Sequence, residues 1–384
     1  MSRLREMIKE LCPDGVEYRK LEDVLKICNG SDYKKFGEGD IPVYGSGGIM
    51  TYIDTYVYDK PSVLIPRKGS LDKLYYVDVP FWTVDTIFYT KISEEVLPKY
   101  VFYYLQSQHL ERLNKAGGVP SLTQTTLNKV LIPVPPLPIQ NEIVKMLDNF
   151  TELIAELTAE LMLRKKQYDF YRDSLLNFDQ NDRDVEWKTI GMIGDVTKLA
   201  GFEFTKYVTY VETGKIIALR GLNVKGKLDL TDVKYLDGSD LTKLERSKLY
   251  KDDILFTYVG TVGQVALVDC DDKYYLAPNV ARIRFDKEVV DPAYIRYFFQ
   301  TEYFTRKQIE KYAKTSSMKN LTMENIRKFQ VPIPPLETQA KIVSILDRFD
   351  TLCNDLTQGL PAEIAARKKQ YEYYRDKLLT FWRK

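Results

Sequence analysis

Apolar positions along this chain follow two periods. From Ile143 they run through Leu147, Phe150, Ile154, Leu157 and Leu161 to Tyr168, Tyr171, Leu175 and Phe178, with Arg164 in one slot. The steps alternate between four and three, which is the seam of a coiled-coil helix. The series returns as Ile342, Leu346, Phe349, Cys353, Leu356, Leu360, Ile364, Arg367, Tyr371, Tyr374, Leu378 and Phe381. Here extra residues between Leu360 and Arg367 give two consecutive steps of four, a stutter that locally unwinds a supercoil. Gly359 and Pro361 fall at that point, so a kink or short break is predicted. Each helix spans about 40 residues, roughly 60 Å at 1.5 Å per residue.

Between these helices the pattern shortens. Tyr44, Tyr52, Tyr56-Val57-Tyr58, Ser62-Val63-Leu64-Ile65 and Thr83-Val84-Asp85-Thr86-Ile87-Phe88 read as short strands separated by Gly and Asp turns. Ile216-Ile217-Ala218-Leu219, Asp253-Ile254-Leu255-Phe256, Gln264-Val265-Ala266-Leu267 and Ala281-Arg282-Ile283-Arg284 read the same way further on. Helices are predicted to start at Pro98 and Pro292, the first-turn position that suits proline. Thr123 and Thr322 are plausible N-caps of a short helix before each Pro-rich stretch.

The two halves are copies of one plan. Ile132-Pro133-Val134-Pro135-Pro136-Leu137-Pro138-Ile139-Gln140, then Met146-Leu147-Asp148, matches Val331-Pro332-Ile333-Pro334-Pro335-Leu336-Glu337-Thr338-Gln339, then Ile345-Leu346-Asp347. Both helices end alike, in Arg164-Lys165-Lys166-Gln167-Tyr168 with Tyr171-Arg172-Asp173, and in Arg367-Lys368-Lys369-Gln370-Tyr371 with Tyr374-Arg375-Asp376. Weaker echoes pair Val16-Glu17-Tyr18-Arg19 with Val185-Glu186-Trp187-Lys188, and Pro98-Lys99-Tyr100 with Pro292-Ala293-Tyr294. The order is therefore globule, helix, globule, helix. Two helices with one apolar seam each are satisfied most economically by packing antiparallel on each other; the alternative is a separate oligomer contact for each seam.

Composition narrows the chemistry. In 384 residues, 56 Lys and Arg stand against 54 Asp and Glu, a net charge of +2, so a protein that coats polyanions through a global field is disfavoured. One histidine, His109, excludes a multi-histidine metal site and makes histidine-based nucleophilic catalysis improbable. It is read as a partly exposed residue of an amphipathic helix. Cys12, Cys28, Cys270 and Cys353 are scattered and read as reduced intracellular thiols. No apolar run is long enough to span a membrane and the N-terminus lacks a signal-peptide core, so a cytoplasmic protein is expected. The 28 tyrosines suit either a binding surface or strand interiors.

Catalytic signatures are missing. Gly45-Ser46-Gly47-Gly48 lacks the lysine of a phosphate-binding loop, and neither Pro-Pro pair has the flanks of an amino-methyltransferase motif. Glu186-Trp187-Lys188 fits only the tail of a nuclease pattern. What remains are polar, basic, Gly-bearing loops at matching places. The candidates for DNA contact are Arg67, Lys68, Ser70, Lys73 and Lys115 in the first globule. In the second they are Tyr258, Thr261, Gln264, Lys314, Ser316, Ser317 and Lys319. Lys and Arg neutralise phosphates, while Gln, Ser and Arg can read base edges; a merely solvated loop has the same composition.

The Pro-Pro-Leu-x-x-Gln stretches, the Arg-Lys-Lys-Gln-Tyr helix ends, the twofold repeat and Gly359-Leu360-Pro361-Ala362-Glu363-Ile364 together resemble the specificity subunit of type I restriction–modification systems. The resemblance implies an α+β chain of two pseudo-repeated α/β target-recognition domains joined by two long antiparallel coiled-coil helices. Their expected bounds are 1–136 and 181–335 for the domains, 137–180 and 336–384 for the helices. It further implies recognition of a split double-stranded DNA sequence, with the helices docking two methyltransferase subunits; two restriction or translocase subunits can then join. The chain would be non-catalytic, without cofactor or metal, S-adenosylmethionine belonging to the methyltransferase partner. Candidates for helix pairing and subunit docking are Leu147, Phe150, Leu157, Tyr168, Tyr171, Leu346, Phe349, Leu356, Tyr371 and Tyr374. The competing class is a scaffold that tethers protein partners without DNA.

Overall fold

Short strands dominate the first globule of the computed structural model, which describes residues 2–114, 118–179, 184–313 and 320–384. They are β1 (Tyr18–Lys20), β2 (Leu25–Asn29), β3 (Ile41–Gly45), β4 (Gly48–Ile53), β5 (Ser62–Pro66), β6 (Tyr75–Val77), β7 (Trp82–Thr83), β8 (Ile87–Ile92) and β9 (Leu131–Pro133). Val63, Leu64 and Ile65 are fully buried, so β5 takes an interior place in the order β2-β8-β5-β6. A smaller sheet, β4-β3-β7, pairs β3 antiparallel with β4 and parallel with β7. β1 pairs antiparallel with β9 and brings the globule back to the first long helix.

The second globule repeats this topology. Its strands are β10 (Glu186–Thr189), β11 (Gly194–Lys198), β12 (Ile217–Leu219), β13 (Lys234–Tyr235), β14 (Ile254–Thr257), β15 (Val265–Leu267), β16 (Tyr274–Leu276), β17 (Val280–Phe285) and β18 (Gln330–Ile333). The sheets run β11-β17-β14-β15, β13-β12-β16 with one parallel pair, and β10-β18. The repeat seen in the helix motifs thus extends through both globules. The second differs by a helix at Gly201–Tyr207 and by short turns between Gly221 and Ser247.

Three local expectations are corrected. Thr83–Phe88 is two strands, because the chain crosses between sheets there: the Val84 amide donates to the Tyr44 carbonyl, and the Arg67 amide donates to that of Thr86. Tyr56–Tyr58 makes only an isolated bridge from Tyr58 to Phe81, its ring packing on Phe81 and Tyr89 instead. His109 is not helical; it sits in a turn with φ +48° after the helix Pro98–Ser107. The proline starts and threonine caps are as the sequence predicts. The Thr123 hydroxyl accepts from the Thr126 amide at 3.2 Å, and that of Thr322 from Asn325 at 3.1 Å.

The first long helix is continuous over 39 residues, Leu137–Leu175. The second is two helices, Leu336–Asn354 and Leu360–Leu378, broken at the predicted stutter. In the break the Asp355 carboxylate accepts from the Thr357 amide at 2.6 Å and from the Gln358 amide at 3.1 Å. A Cβ on Gly359 would lie 2.4 Å from the Thr351 carbonyl oxygen, so only glycine fits. Leu356 consequently leaves the seam: it falls in the break and is 77% exposed.

The chain forms two compact units, 1–159 with 362–384, and 160–361. In the first, Ile143, Leu147 and Leu378 enter the globule's core, while Phe150 stacks on Tyr374 with centroids 5.5 Å apart. In the second, Tyr168, Leu346 and Cys353 are buried and Tyr171 stacks on Phe349 at 5.4 Å. Each unit therefore packs the start of one long helix against the end of the other, the pairing an antiparallel arrangement requires. Leu157 is half-buried on the first helix.

Each globule is fixed to its helix by one buried glutamine. The Gln140 carbonyl accepts from the Leu97 amide at 2.8 Å, and its amide group donates to the Glu95 and Pro135 carbonyls at 3.0 and 2.7 Å. Gln339 repeats this with Asp291, Val289 and Pro334 at 2.9, 3.2 and 2.8 Å. Two turns further along, Asp148 accepts from the Tyr103 hydroxyl and Asp347 from that of Tyr297. At the other helix end the Tyr371 phenol, pushed up to about 12 by burial, donates to Gln106 at 2.9 Å.

Replacing Gln140 by Leu keeps the volume but strands three buried backbone groups. At about 1–3 kcal/mol for each unsatisfied group, the expected loss for Gln140→Leu or Gln339→Leu is about 3 kcal/mol or more. Urea unfolding of each variant measures it; a loss below about 1 kcal/mol contradicts the role given to the glutamines.

Candidate nucleic-acid interface

The strands converge on one tip in each globule. β5 runs out into Arg67-Lys68-Gly69-Ser70, and the amides of Arg67 and Lys68 donate to the Thr86 carbonyl at 2.9 and 3.2 Å. The Leu122 amide donates to the Arg67 carbonyl, Gly69 donates to Pro120, and Lys68 bridges Ser121. A third segment closes the tip: the Ser46 amide donates to the Thr86 hydroxyl at 3.3 Å. Gly69 has φ +83°, a conformation that favours glycine, and a Cβ there would lie 3.2 Å from the Ser46 hydroxyl.

The second tip has the same wiring. The Tyr258 amide donates to the Asn279 carbonyl, the Leu321 amide donates to the Tyr258 carbonyl, and Val259 bridges Asn320. Gly260, φ +78°, stands where Gly69 does. Arg67, Lys68 and Thr86 thus correspond to Tyr258, Val259 and Asn279. Hairpin register pairs Leu64 with Tyr75 and Leu255 with Ala266, which sets Lys73 at the place of Gln264.

The structure therefore brings Arg67, Lys68, Ser70 and Lys73 to one tip, and Tyr258, Thr261 and Gln264 to the other. Lys115, Lys314, Ser316, Ser317 and Lys319 lie outside the described residues. Ser46, Thr86, Arg220, Lys225 and Asn279 escape sequence reasoning. The Gly45–Gly48 turn is discounted as a failed phosphate loop, and Thr86 and Asn279 join the tips through tertiary hydrogen bonds that leave no periodicity. Aligning the repeat strand by strand would have found the last two.

The tips differ electrostatically. Among the described residues the first has no carboxylate paired to Lys68 or Lys73, and the Arg67 guanidinium lies 5.8 Å from the Phe88 ring centroid. The second opens into a cleft of about 760 Å³ lined by Phe204, Tyr210, Arg220, Lys225, Gln264 and Asn279, among others. Its cations are spoken for: Arg220 pairs with Asp232 at 2.8 Å and Lys225 with Asp229 at 2.6 Å. The Lys225 ammonium, followed by Thr231, holds the Asp229 carboxyl well below the usual carboxylate range. Among the described residues the first tip thus presents free positive charge, and the cleft of the second presents neutral amides and hydroxyls, with Lys198 outside it over the Tyr258 ring at 5.6 Å.

No helix among the described residues is long and apolar enough to cross a membrane. The sequence model of the type I restriction modification DNA specificity domain matches residues 13–163 and again 183–366. A Haemophilus influenzae protein assigned as a type I restriction enzyme specificity subunit is 30% identical, over 95% of this chain and 96% of its own. The Escherichia coli EcoR124I/EcoR124II specificity subunit is 34% identical, over 75% of this chain and 72% of its own. In fold, the crystal structure of the S subunit from M. genitalium superposes with TM-score 0.59 at 15% identity, covering 95% of this chain and 96% of that one. A chain from a type I R-M system studied for complex assembly and conformational transition gives 0.63 at 14%, covering 96% and 98%.

The second tip is held by Thr257, 2% exposed, whose hydroxyl accepts from the Gln264 amide at 2.9 Å and donates to the Thr261 carbonyl. Thr257→Val keeps the shape and removes both bonds. The expected result is a loss of about 1–3 kcal/mol and faster hydrogen exchange at the Gln264 amide, read by NMR or mass spectrometry. Unchanged exchange there would show that the loop is held by other means.

Proposed function

This chain belongs to the type I restriction modification DNA specificity family, and from that premise we propose that it reads a bipartite double-stranded DNA target, one part with each globule. The observation that carries this reading is the pair of tips: one topology, one set of backbone hydrogen bonds, and different side chains presented outward. A scaffold that only spaced its partners would have no use for two tips of matched backbone and unmatched chemistry. Lys68 and Lys73 suit phosphate contact, and the polar groups of the second tip suit base edges.

The long helices dock the catalytic partners. Met162, Leu163 and Phe170 of the first helix are each about two-thirds exposed, and Tyr373 of the second is 60% exposed. Apolar side chains in water at helix positions outside the core suit burial by a partner. We assign them, together with Leu356, to the surface that takes two methyltransferase subunits, to which restriction or translocase subunits can add. The chemistry of methyl transfer, with its S-adenosylmethionine, then belongs to those partners. Recognition and docking are what this chain supplies.

Two experiments test the reading, both with the full chain assembled with its methyltransferase partner. Replacing residues 15–131 by the equivalent globule of a relative is expected to change one part of the methylated sequence and leave the other, as seen by methylome sequencing. A change in both parts, or in neither, contradicts independent reading. Separately, Arg67→Gln and Lys68→Gln are expected to weaken DNA binding without changing the unfolding midpoint. Each lost phosphate contact lowers the slope of log affinity against log salt by about one unit. An unchanged slope removes these residues from the interface.

A further inference from the structure

We infer that the second globule recognises A·T base pairs through the side-chain amides of Gln264 and Asn279, one adenine edge to each amide, an assignment that rests on the DNA-reading role proposed above. Both residues line the same cleft and both are exposed. Neither side chain has a hydrogen-bond partner among the described residues. The two cations beside them, Arg220 and Lys225, are already neutralised by Asp232 and Asp229. The cleft is therefore poorly suited to a phosphate and well suited to a neutral polar edge.

Their backbones are fixed from one place. Gln264 exchanges hydrogen bonds with Thr257, its amide donating to the hydroxyl at 2.9 Å and its carbonyl accepting from the Thr257 amide at 2.9 Å. The Asn279 carbonyl accepts from the amide of the next residue, Tyr258, at 3.1 Å. Two adjacent residues at the end of β14 thus anchor both amide-bearing positions, which limits the ordering cost when a ligand binds. A carboxamide offers one donor beside one acceptor. In the major groove adenine alone offers the complement on one base, its N6 donor beside its N7 acceptor; guanine offers two acceptors and cytosine a donor. The first globule lacks the arrangement. Thr86 stands in place of Asn279 with its hydroxyl already used by the Ser46 amide, and Lys73 stands in place of Gln264.

Asn279 has a second reason to be asparagine, since its φ of +71° is a conformation in which asparagine is favoured among residues with side chains. The test separates the two reasons. Asn279→Gly keeps the backbone conformation and removes the amide; Asn279→Asp keeps the shape and leaves only acceptors; Gln264→Ala removes an exposed amide. Each is assembled as full chain with the methyltransferase partner. Binding is then measured by competition against duplexes in which every position of the wild-type target is changed in turn, with the unfolding midpoint as control. The expected result for Asn279→Gly and Gln264→Ala is a loss of roughly tenfold or more in discrimination at an A·T position of the second half-site, with the first half-site unaffected. Asn279→Asp is expected to move the preference at its position toward cytosine, whose N4 group is a donor. Full discrimination in both amide-free variants, or retained adenine preference in Asn279→Asp, overturns the inference while leaving the bipartite reading intact. A wild-type assembly that discriminates no sequence at all removes both.

Discussion

Two buried carboxamides decide how the globules meet the long helices. A helix beginning after a Pro-Pro pair and a second helix beginning after an extended segment leave unpaired N–H and C=O groups facing each other in a dry place. Gln140 and Gln339 are the side chains that satisfy an amide and two carbonyls at once, with an acceptor and two donors at the end of a reach that a shorter asparagine lacks. Leu97 and Asp291, the residues that receive this contact, immediately precede Pro98 and Pro292, so the glutamines also fix where the globule helices start. The apolar contacts of Ile143, Leu147, Ile342 and Leu346 then fall into register behind them. Without the polar latch these contacts would constrain position loosely, because apolar burial is non-directional.

This explains how much of the fold was legible. The helices declare themselves by a seam sustained over many turns, and the break in the second by glycine and proline at a stutter. The caps Thr123 and Thr322 are local, acting on an amide three residues away, and are visible for that reason. The strands that were misread, around Thr83 and Tyr56, depend on which sheet a neighbouring segment has joined, a fact that no window of sequence contains. His109 was misread because the apolar residues on both sides of it continue a helical pattern across a turn. The candidate site was legible only where it reused the repeat. Arg67 and Tyr258 follow equivalent strands, whereas Asn279 enters its tip only through the long-range pairing of β14 with β17, whose ladder the Tyr258–Asn279 hydrogen bond continues.

Charge follows the same division. Many cations are paired locally, as in Arg284 with the buried Asp253 or Arg172 with Asp169 and Asp173, and the fully exposed pairs among them contribute little to stability. With a net charge of +2 the chain casts no large field. Selectivity then has to reside in a few positions, and the tips are where the backbone is satisfied by other backbone groups and by two threonine hydroxyls, leaving the outward side chains unemployed.

That unemployment has an evolutionary consequence. The tip geometry is written in main-chain hydrogen bonds, Arg67 and Tyr258 alike, in two glycines and in the hydroxyls of Thr86 and Thr257, so the side chains at Lys68, Lys73, Thr261 and Gln264 can change without disturbing the fold. Drift at these positions meets almost no stability threshold, and the two globules can diverge from each other while their scaffold stays nearly fixed. The structural positions show the opposite behaviour: Gln140, Gln339 and Gly359 admit no substitute of equal fit. New chemistry at the tips is therefore cheap to explore, and what restrains it is the consequence of binding the wrong ligand rather than the failure to fold.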